Sequence, residues 1–335
     1  MPGSDAIRGA AENKLVVYSA AERQYCAGLI DGFNQRHPGI AVEFRDGISV
    51  ALHQRYLAEL ASGQPEADVL WSSAMDLQMS LALEGKALAY ASAEARALPA
   101  GAIYRDLAYA TTLEPLLTLV NRDCFDARVA AGSLAEIAAA IGRDPGSFRG
   151  RIASYDIERN GLGFLALLLE SQRNTEFRAY LHTLARCKPK IFGSNPLLVG
   201  EVASGRAALG YHVLGSYALR AVASNPSLAV AASHTPALAV SRVALISSRA
   251  PHPHAAKLFI DYLLSRDGQQ RLLEAGLFPI RNDAGAAPGG ANVSPLRIDR
   301  GCGELLDAGR RRELLDLWRS TIAGADESAG IADSR

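Results

Sequence analysis

Short apolar runs and helix-like apolar periodicities alternate along the first hundred residues of the chain. The runs KLVVY (14–18), IAVEF (40–44) and ADVLW (67–71) are typical of buried strands. Apolar residues then recur at helical spacing between 25 and 33 and between 52 and 60, and glycines follow these segments. Strands that alternate with helices through short turns predict a mostly parallel sheet with helices on both faces.

A second body of the same kind follows a long apolar segment. Residues 107–121, LAYATTLEPLLTLVN, are interrupted by threonines and a proline, which indicates an extended crossing. Beyond it, RIASYD (151–156) predicts a strand and GLGFLALLLESQ (161–172) predicts a helix. The apolar segment TPALAVSRVALISS (235–248) predicts a crossing back. A later helix begins near 266, with Asp267 as its expected N-cap.

This pattern predicts an α/β protein of two lobes. We expect the first lobe to contain 14–110 and 244–325 and the second to contain 115–238, with hinge crossings near 110–118 and 236–246. Ligands of open α/β sheets bind beyond the carboxyl ends of the strands, so the expected site is the cleft between the lobes.

Composition narrows the classes of function. The chain has 335 residues, enough for about two domains. Its 35 basic and 35 acidic residues balance, so no global field attracts nucleic acid or an anionic membrane. No apolar run approaches the roughly 18 residues of a membrane span. The first 13 residues lack the apolar centre of a signal peptide, which fits either a cytoplasmic start or a mature secreted chain.

Sequence motifs of nucleotide binding, hydrolysis and zinc binding do not occur. GxxxxGK[ST], GxGxxG, GxSxG and HExxH are all missing, and the four cysteines form no CxxC pair. Cys26 falls on the apolar face of a predicted helix and is expected to be an inert buried thiol, while pairing among the other three stays open. We therefore expect a protein that is not an enzyme and holds neither a cofactor nor a metal.

Small polar residues recur where predicted strands end, and these are the candidate ligand contacts. Those of the first body and its crossing are Ser19, Ala20, Ser72, Ser73 and Thr112. Those of the second body are Tyr155, Asp156, Asn160, Gly161, Tyr211 and His212. The alternative for the serines is helix capping, because Ser19 with Glu22 and Ser73 with Asp76 both match a capping box. We expect Ser73 to cap its helix and Ser72 to remain available to a ligand.

The helix that starts near Asn160 is the better candidate for an anion. Its first turn, GLGFL, carries no acid, whereas Glu22 and Asp76 stand at the starts of the two earlier helices. The positive end of a helix dipole and its unpaired N–H groups favour an anion, and Arg159 lies beside them. The alternative is that Asn160 only caps the helix and Arg159 is solvated.

Arg242 is a charge inside the apolar return crossing and needs a partner there. Its negatively charged partner is either a structural carboxylate or an anion of the ligand. Glu114 is the candidate for the structural carboxylate.

Four stretches in order resemble the type 2 solute-binding proteins of ABC transporters. They are KLVVYSAAERQYCAGLIDGFNQRHPGIAVEF, ADVLWSSAMDLQMSLALEGKA, GEVASGRAALGYHVLGSYALR and PHPHAAKLFIDYLLSRDGQQRLLEAGLFPIR. The resemblance covers the chain from about Lys14 to Arg281. This family includes proteins that bind ferric ion, phosphorylated sugars, phosphonates or thiamine. The resemblance implies the two-lobed type II periplasmic-binding-protein fold, a monomer in the periplasm after signal-peptide removal, and delivery of a small ligand to an ABC permease.

The ferric branch of this family places two adjacent tyrosines after the strand that matches AALG. In this sequence those positions fall on Gly215 and Ser216, while Tyr211 and Tyr217 are six residues apart. Hard Fe³⁺ needs anionic oxygen ligands, which glycine and serine do not supply. The resemblance therefore implies a branch that does not bind iron.

The leading hypothesis is a carrier of a small anionic metabolite, phosphorylated or carboxylated. Hydroxyl groups from the first lobe and the Asn160–Gly161 helix start from the second would hold it, with Arg242 neutralising charge at the hinge. The alternatives are a ferric-ion carrier, the ligand-sensing partner of a sensor kinase, and an enzyme of transferase or lyase type on the same fold.

Overall fold

The computed structural model forms two compact units. One contains 1–114 and 238–306, and the other contains 115–237 and 307–335. The residues that it describes are 4–125, 134–173, 177–232, 237–285, 293–299, 301–302, 305 and 307–322.

Helices and strands alternate through most of the described residues. The helices, in chain order, are α1 (Ser4–Glu12), α2 (Arg23–Arg36), α3 (Ser49–Ser62), α4 (Met75–Leu83), α5 (Leu134–Arg143), α6 (Gly161–Arg173), α7 (Phe177–Arg186), α8 (Asn195–Ala203), α9 (Gly215–Ser224), α10 (Pro253–Leu264), α11 (Arg266–Glu274) and α12 (Ala308–Thr321). The strands, in chain order, are β1 (Lys14–Ser19), β2 (Ala41–Asp46), β3 (Val69–Ser72), β4 (Ile103–Tyr104), β5 (Ala108–Ala110), β6 (Glu114–Asn121), β7 (Ile152–Tyr155), β8 (Lys190–Phe192), β9 (Leu209–Leu214), β10 (Leu228–Val230), β11 (Ala237–Val240), β12 (Val243–Ile246) and β13 (Val293–Pro295).

The sheet of the first unit is mixed. Its order is β2-β1-β3-β12-β5-β4. Strands β1, β2 and β3 run parallel, as expected from their helical connections, whereas β12 is antiparallel to both β3 and β5. The α/β class is confirmed, and the parallel pairing is confined to the strands that helices connect.

The core of the first unit fills the space between this sheet and helices α2, α10 and α11. Leu15, Val17, Trp71 and Phe259 belong to one continuous buried cluster. Cys26 lies in the same cluster, as predicted, and burial raises the pKa of its thiol to about 12. All four cysteines are free thiols, so no disulfide links any of them.

Helix α1 is an element that the sequence reasoning did not predict. It packs on α10, and the Glu12 carboxylate accepts hydrogen bonds from the N–H groups of His254 (3.3 Å) and Ala255 (2.8 Å). These N–H groups belong to the first turn of α10, whose positive end the carboxylate also complements. The small and polar residues of α1 do not indicate a helix that packs on α10, because α1 is stabilised by its contact with that helix.

In the second unit, β6, β9, β7 and β8 lie in that order, with β10 beside β6. Strands β7, β8 and β9 are parallel, and β6 is antiparallel to β9. The carboxyl ends of β7, β8 and β9 therefore meet at one edge of this sheet, and each is followed by a loop or a helix start.

Helix α6 is the central helix of the second unit. Its first nine residues are all buried, from Gly161 to Leu169, so it is enclosed on every side. A Cβ added at Gly163 would lie 2.4 Å from the Cβ of Tyr155, which explains why the sequence has glycine where this helix crosses β7. The predicted helix over 161–172 is confirmed almost residue for residue.

The C-terminal helix corrects one predicted boundary. We expected 244–325 to belong to the first lobe, but the segment from Asp307 onward clusters with the second unit. Helix α12 packs on α7, and its residues Leu314 and Trp318 are buried. An amphipathic pattern indicates that a helix has an apolar face, but it does not identify the surface that covers this face. The last residues of that predicted segment, 323–325, lie outside the described part, as does Pro236 at the start of the second predicted hinge.

The N-cap of α11 is also different from the predicted one. Ser265, and not Asp267, precedes the helix, and its side chain accepts from the N–H of Gly268 (3.1 Å). Asp267 instead lies in the first turn, where its charge favours the helix dipole.

Gly268 provides a test of this local geometry. A Cβ added there would lie 2.0 Å from the carbonyl oxygen of Tyr262, which is backbone and cannot move aside. Although alanine is the better helix former, we expect Gly268→Ala to lower the free energy of unfolding by about 1–3 kcal/mol. In a Trp318→Phe background, the fluorescence of the remaining Trp71 during urea denaturation measures the unfolding of the first unit.

The matched control is Gly28→Ala on α2, where a Cβ meets nothing within 4 Å. This exposed position is expected to gain about 0.5–1 kcal/mol. Equal effects at both glycines would contradict the packing described for α11.

Candidate functional site

Ser19 lies at the carboxyl edge of the sheet in the first unit and is fully buried. Its Oγ accepts from the N–H of Ala21 (3.0 Å), and its carbonyl accepts from the N–H of Gly47 (3.1 Å). The N–H of the next candidate, Ala20, donates to the carbonyl of Trp71 (3.1 Å). These bonds fasten the ends of β1, β2 and β3 to one another, so the structure brings Ser19, Ala20 and Ser72 to one edge.

Neither predicted capping box forms. The N-cap residue of α2 is Glu22 and that of α4 is Ala74, and neither helix has a side-chain cap bond. It is Ser72, and not Ser73, whose Oγ makes the short-range bond, to the N–H of Ala74 (3.1 Å). Ser73 is buried and does not cap the helix, so its expected role is wrong, whereas the contact of Ser72 with a ligand stays a prediction. The helices begin later than the motif spacing implies, and the serines are left in the turns before them.

Asp76 does stand in the first turn of α4, and it is fully buried. Its carboxylate complements the positive end of that helix. Burial first, and the Asp76 charge second, raise the pKa of the Cys302 thiol well above its usual value. This helix start is therefore already negative and disfavours a further anion.

Arg242 has the structural carboxylate that the sequence suggested. Its Nε donates to Oε1 of Glu114 (2.8 Å), and both side chains are 1% exposed. The Oγ1 of Thr112 donates to the same Glu114 oxygen (3.2 Å) and accepts from the N–H of Arg242 (2.9 Å). Thr112 and Arg242 are thus joined in one buried network, and this ion pair favours the structural alternative for Arg242.

Two further members of this network were missed by the sequence reasoning. Thr111 donates through Oγ1 to the Arg242 carbonyl and accepts from Nε1 of Trp71, both at 2.8 Å. The Nε2 of Gln269, on α11, donates to the Thr111 carbonyl (3.0 Å), while its Oε1 accepts from the N–H of Ile280 (2.8 Å). A lone glutamine on a polar helix gives no sequence signal for such a role, because its partners are distant in the chain.

The start of α6 lies at the carboxyl edge of the second unit's sheet. The Oδ1 of Asn160 accepts from the N–H of Gly163 (2.8 Å), which is the predicted cap, and its Nδ2 donates to the Gly193 carbonyl after β8 (2.9 Å). No acid lies in the first turn of this helix. Its positive end is therefore not compensated from within the helix, a property that it shares with the starts of α7, α8 and α9.

Asn195, the first residue of α8, is a member of this edge that the sequence reasoning missed. Its Oδ1 accepts from the hydroxyl of Tyr155 (2.5 Å) and from the N–H of Leu214 (3.3 Å). Tyr155 ends β7 and Leu214 ends β9, so one amide oxygen joins the ends of two strands. Asparagine before a proline looks like an ordinary helix start, which conceals this tertiary contact.

Asp156 organises the loop between β7 and α6. Its Oδ1 accepts from the N–H of Glu158 (3.0 Å), and its carbonyl accepts from the N–H groups of Arg159 (3.2 Å) and Asn160 (2.8 Å). The loop is thus closed by its own backbone, and Asp156 sets the position from which Asn160 caps the helix.

Tyr211 and His212 lie at an irregularity within β9, before the strand ends. The pairing of β6 with β9 shifts between Leu117 and Leu119, and His212 has φ +57°, in the left-handed region. The two rings lie 4.2 Å apart, and the His212 Nε2 is 3.9 Å from a carboxylate oxygen of Glu170. Burial raises the pKa of the Tyr211 phenol well above its usual value, so it stays protonated. These residues contact α6 and α7 within the unit, because Tyr211 also packs on Tyr180 (5.5 Å).

The positions of the ferric tyrosine pair fall at the start of α9. Gly215 and Ser216 are its first two residues, both buried, and Tyr217 follows. Within the described residues, no group of three or more His, Cys, Asp and Glu side chains is arranged to hold a metal ion. Among these same residues, no helix is long and apolar enough to cross a membrane.

Comparison with known proteins agrees with this architecture. The family model of bacterial extracellular solute-binding proteins matches residues 19–270. A comparison with curated proteins by sequence finds no match. Among solved structures, the substrate-binding protein of an ABC transporter from Agrobacterium tumefaciens is 27% identical with a TM-score of 0.87, over 92% of this chain and 94% of that one.

Two more distant structures share the fold. The periplasmic binding protein AfuA from Actinobacillus pleuropneumoniae, with exogenous fructose-6-phosphate bound, is 18% identical (TM-score 0.76, covering 92% of this chain and 98% of that one). Iron-bound HitA from Pseudomonas aeruginosa is 19% identical (TM-score 0.74, covering 92% and 99%). At these identities the likeness concerns the fold alone, and the bound species differ.

The Arg242–Glu114 pair yields a stability prediction. Glu114→Gln leaves a buried guanidinium without its carboxylate, so we expect the free energy of unfolding of the first unit to fall by about 3–5 kcal/mol. The double variant Glu114→Leu with Arg242→Met removes both charges and is expected to lose less than the single change does. Urea unfolding followed through Trp71, in the Trp318→Phe background, measures both.

The control is the exposed pair Asp267 and Arg271, whose charged atoms lie 4.0 Å apart. Asp267→Asn is expected to change stability by less than about 1 kcal/mol. A Glu114→Gln effect as small as that of this control would contradict a structural role for the buried pair.

Proposed function

The chain belongs to the family of bacterial extracellular solute-binding proteins, and from this premise we propose that it captures a small anionic metabolite, phosphorylated or carboxylated, for an ABC importer. The type II periplasmic-binding-protein fold and the extracytoplasmic role come with the family. The ligand class is our proposal. In it, the protein makes and breaks no bond, and affinity comes from polar walls that replace the ligand's hydration shell.

The start of α6 carries this proposal. It is a 13-residue helix without an acid in its first turn, and it begins at the carboxyl edge of a parallel set of strands. Asn160 satisfies the N–H of Gly163 and fixes the position of the helix end. The exposed Arg159 lies one residue before the cap. An oxyanion placed here gains from the helix dipole, from backbone N–H groups and from one adjacent cation.

The first unit offers a different chemistry in this proposal. Two of its helix starts carry acids, Glu22 before α2 and Asp76 in α4, so these two suit hydroxyl groups of a ligand better than its charge. The part-exposed Ser72 is the candidate contact there, and Ser73 and Thr112 are buried in the unit itself.

A ferric-ion carrier is the competing proposal, since iron-bound proteins are among the structural neighbours. Hard Fe³⁺ is held by anionic oxygens, and Gly215 and Ser216 supply none at the start of α9. The phenol of Tyr211 is packed against other rings and has a raised pKa, which opposes the tyrosinate form that binds iron.

Two other roles stay hypotheses. A ligand-sensing partner of a sensor kinase would use the same ligand. A pull-down with the permease or the kinase distinguishes this signalling role from transport. An enzyme on this fold needs an acid and base pair, for which the sequence offers no candidate, so turnover in a substrate panel is required to support one.

Thermal denaturation tests the ligand class. We expect phosphate esters or dicarboxylates to raise the melting temperature, because a ligand at 100 times its Kd adds about 2.7 kcal/mol to the native state. The panel contains fructose 6-phosphate, succinate, citrate, a phosphonate, thiamine and Fe³⁺, with glucose as the uncharged control. A shift with Fe³⁺ alone, together with a red tyrosinate colour, would overturn the anion proposal in favour of the ferric one.

Asn160→Asp tests the position of the anion. Aspartate caps helices as well as asparagine does, but it cannot donate to the Gly193 carbonyl, so stability is expected to fall by about 1–3 kcal/mol. The added negative charge at the helix start is expected to weaken binding of the anion found in the panel by tenfold or more, as titration calorimetry would measure. Asn195→Asp serves as a second variant at the same edge. Unchanged affinity in Asn160→Asp would place the anion elsewhere.

A further inference from the structure

The C-terminal helix α12 engages both sides of the α6 start within the second unit. Its buried residues Leu314 and Trp318 face that unit, and two of its arginines reach the segment around the helix start. The sequence placed this helix in the other lobe, so its contacts were not part of the predicted site.

Arg319 holds the loop that precedes α6. Its Nε and one terminal nitrogen donate to the two carboxylate oxygens of Glu158, at 2.7 and 3.2 Å. This is the two-pronged geometry that guanidinium groups form with carboxylates. The hydrogen bond to Arg319 lowers the pKa of Glu158, so the carboxylate is ionised. Glu158 precedes the capping Asn160 by two residues, so their Cα atoms are at most about 7 Å apart.

Arg311 holds the helix itself, just beyond its start. Its guanidinium carbon lies 4.2 Å from the ring centroid of Phe164, which is fully buried and belongs to the first turn of α6. The two arginines are eight residues apart on one helix, roughly 12 Å along its axis. Helix α12 thus contacts the segment before Asn160 and the segment after it.

We propose that α12 is a positioning element for the anion site and that Arg319 neutralises Glu158 so that the α6 start stays attractive to an anion. This inference rests on the proposed function. A bare carboxylate within two residues of the cap would oppose an incoming anion and would itself satisfy the helix dipole. Arg319 cancels that charge and directs the carboxylate to α12. An exposed pair of this kind contributes little to the free energy of global unfolding, so removing it changes the local charge in a protein that stays folded.

Removing each partner separately distinguishes this electrostatic role from simple support of the loop. Arg319→Gln leaves the Glu158 charge bare, so binding of inorganic phosphate is expected to weaken roughly threefold to fivefold, the effect of one unit charge about 10 Å away in a partly solvated setting. Glu158→Gln removes the repelling charge and keeps the cation, so affinity is expected to stay equal or rise. The double variant is expected to return close to the unchanged protein. Titration calorimetry at low and high salt measures all three, and salt should shrink the differences.

Arg312→Gln is the control, since Arg312 is exposed on the same helix, and it is expected to leave the phosphate affinity unchanged. Equal losses in Arg319→Gln and Glu158→Gln would mean that the pair only supports the loop and would overturn the proposed neutralisation. An Arg319→Gln protein that binds phosphate as tightly as the control would overturn it as well.

Hydrogen exchange on the ligand-free protein separates this inference from the proposed function. Arg319→Gln is expected to speed amide exchange in 156–164, while Arg312→Gln is expected to leave it unchanged. If phosphate fails to bind the unchanged protein, the proposed function fails at this site, and faster exchange in Arg319→Gln alone still supports positioning by α12. Identical exchange in both variants would overturn the positioning role.

Discussion

The buried ion pair of Arg242 and Glu114 is the interaction on which the first unit most depends. Both charges are withdrawn from water, and such a pair is tolerated only where geometry and further hydrogen bonds are good. Here Thr112 bonds to both partners, and Thr111 holds the Arg242 carbonyl. The network therefore fixes β12 against the end of β5 and the beginning of β6, where the chain first leaves this unit.

The second unit is organised around an apolar element instead. Helix α6 is buried over nine consecutive residues, and it approaches β7 so closely that Gly163 has no room for a side chain. Amide side chains cap and anchor its start, through Asn160 and the neighbouring Asn195. Neutral anchors leave the helix dipole uncompensated, whereas the acid at the start of α4 compensates that helix from within. The starts of α6 and α4 thus differ in their local electrostatics.

The sequence predicted the elements whose cause is local. Apolar runs predicted β1 and α6. The isolated charge of Arg242 indicated a carboxylate partner, which is Glu114. The Asn160 cap was also predicted, because asparagine before a glycine-rich apolar run has little else to bond. Capping at Ser19 and Ser73 was wrong, since a serine three residues before an acid does not specify where the helix begins. Asn195, Gln269 and the surface covered by α12 depend on partners far along the chain, which no local pattern encodes.

Glu158 shows how such distant contacts complete a local site. Taken from the sequence alone, YDIERNGLGF places a carboxylate beside a helix start that otherwise suits an anion, and the two features conflict. Arg319, which lies 161 residues later in the chain, resolves this conflict because it forms an ion pair with the Glu158 carboxylate. A helix start without acids in its own first turn is therefore only one part of the proposed anion site. The net charge around it also depends on the helix that packs beside it, and in this protein that helix is the last one of the chain that the structure describes.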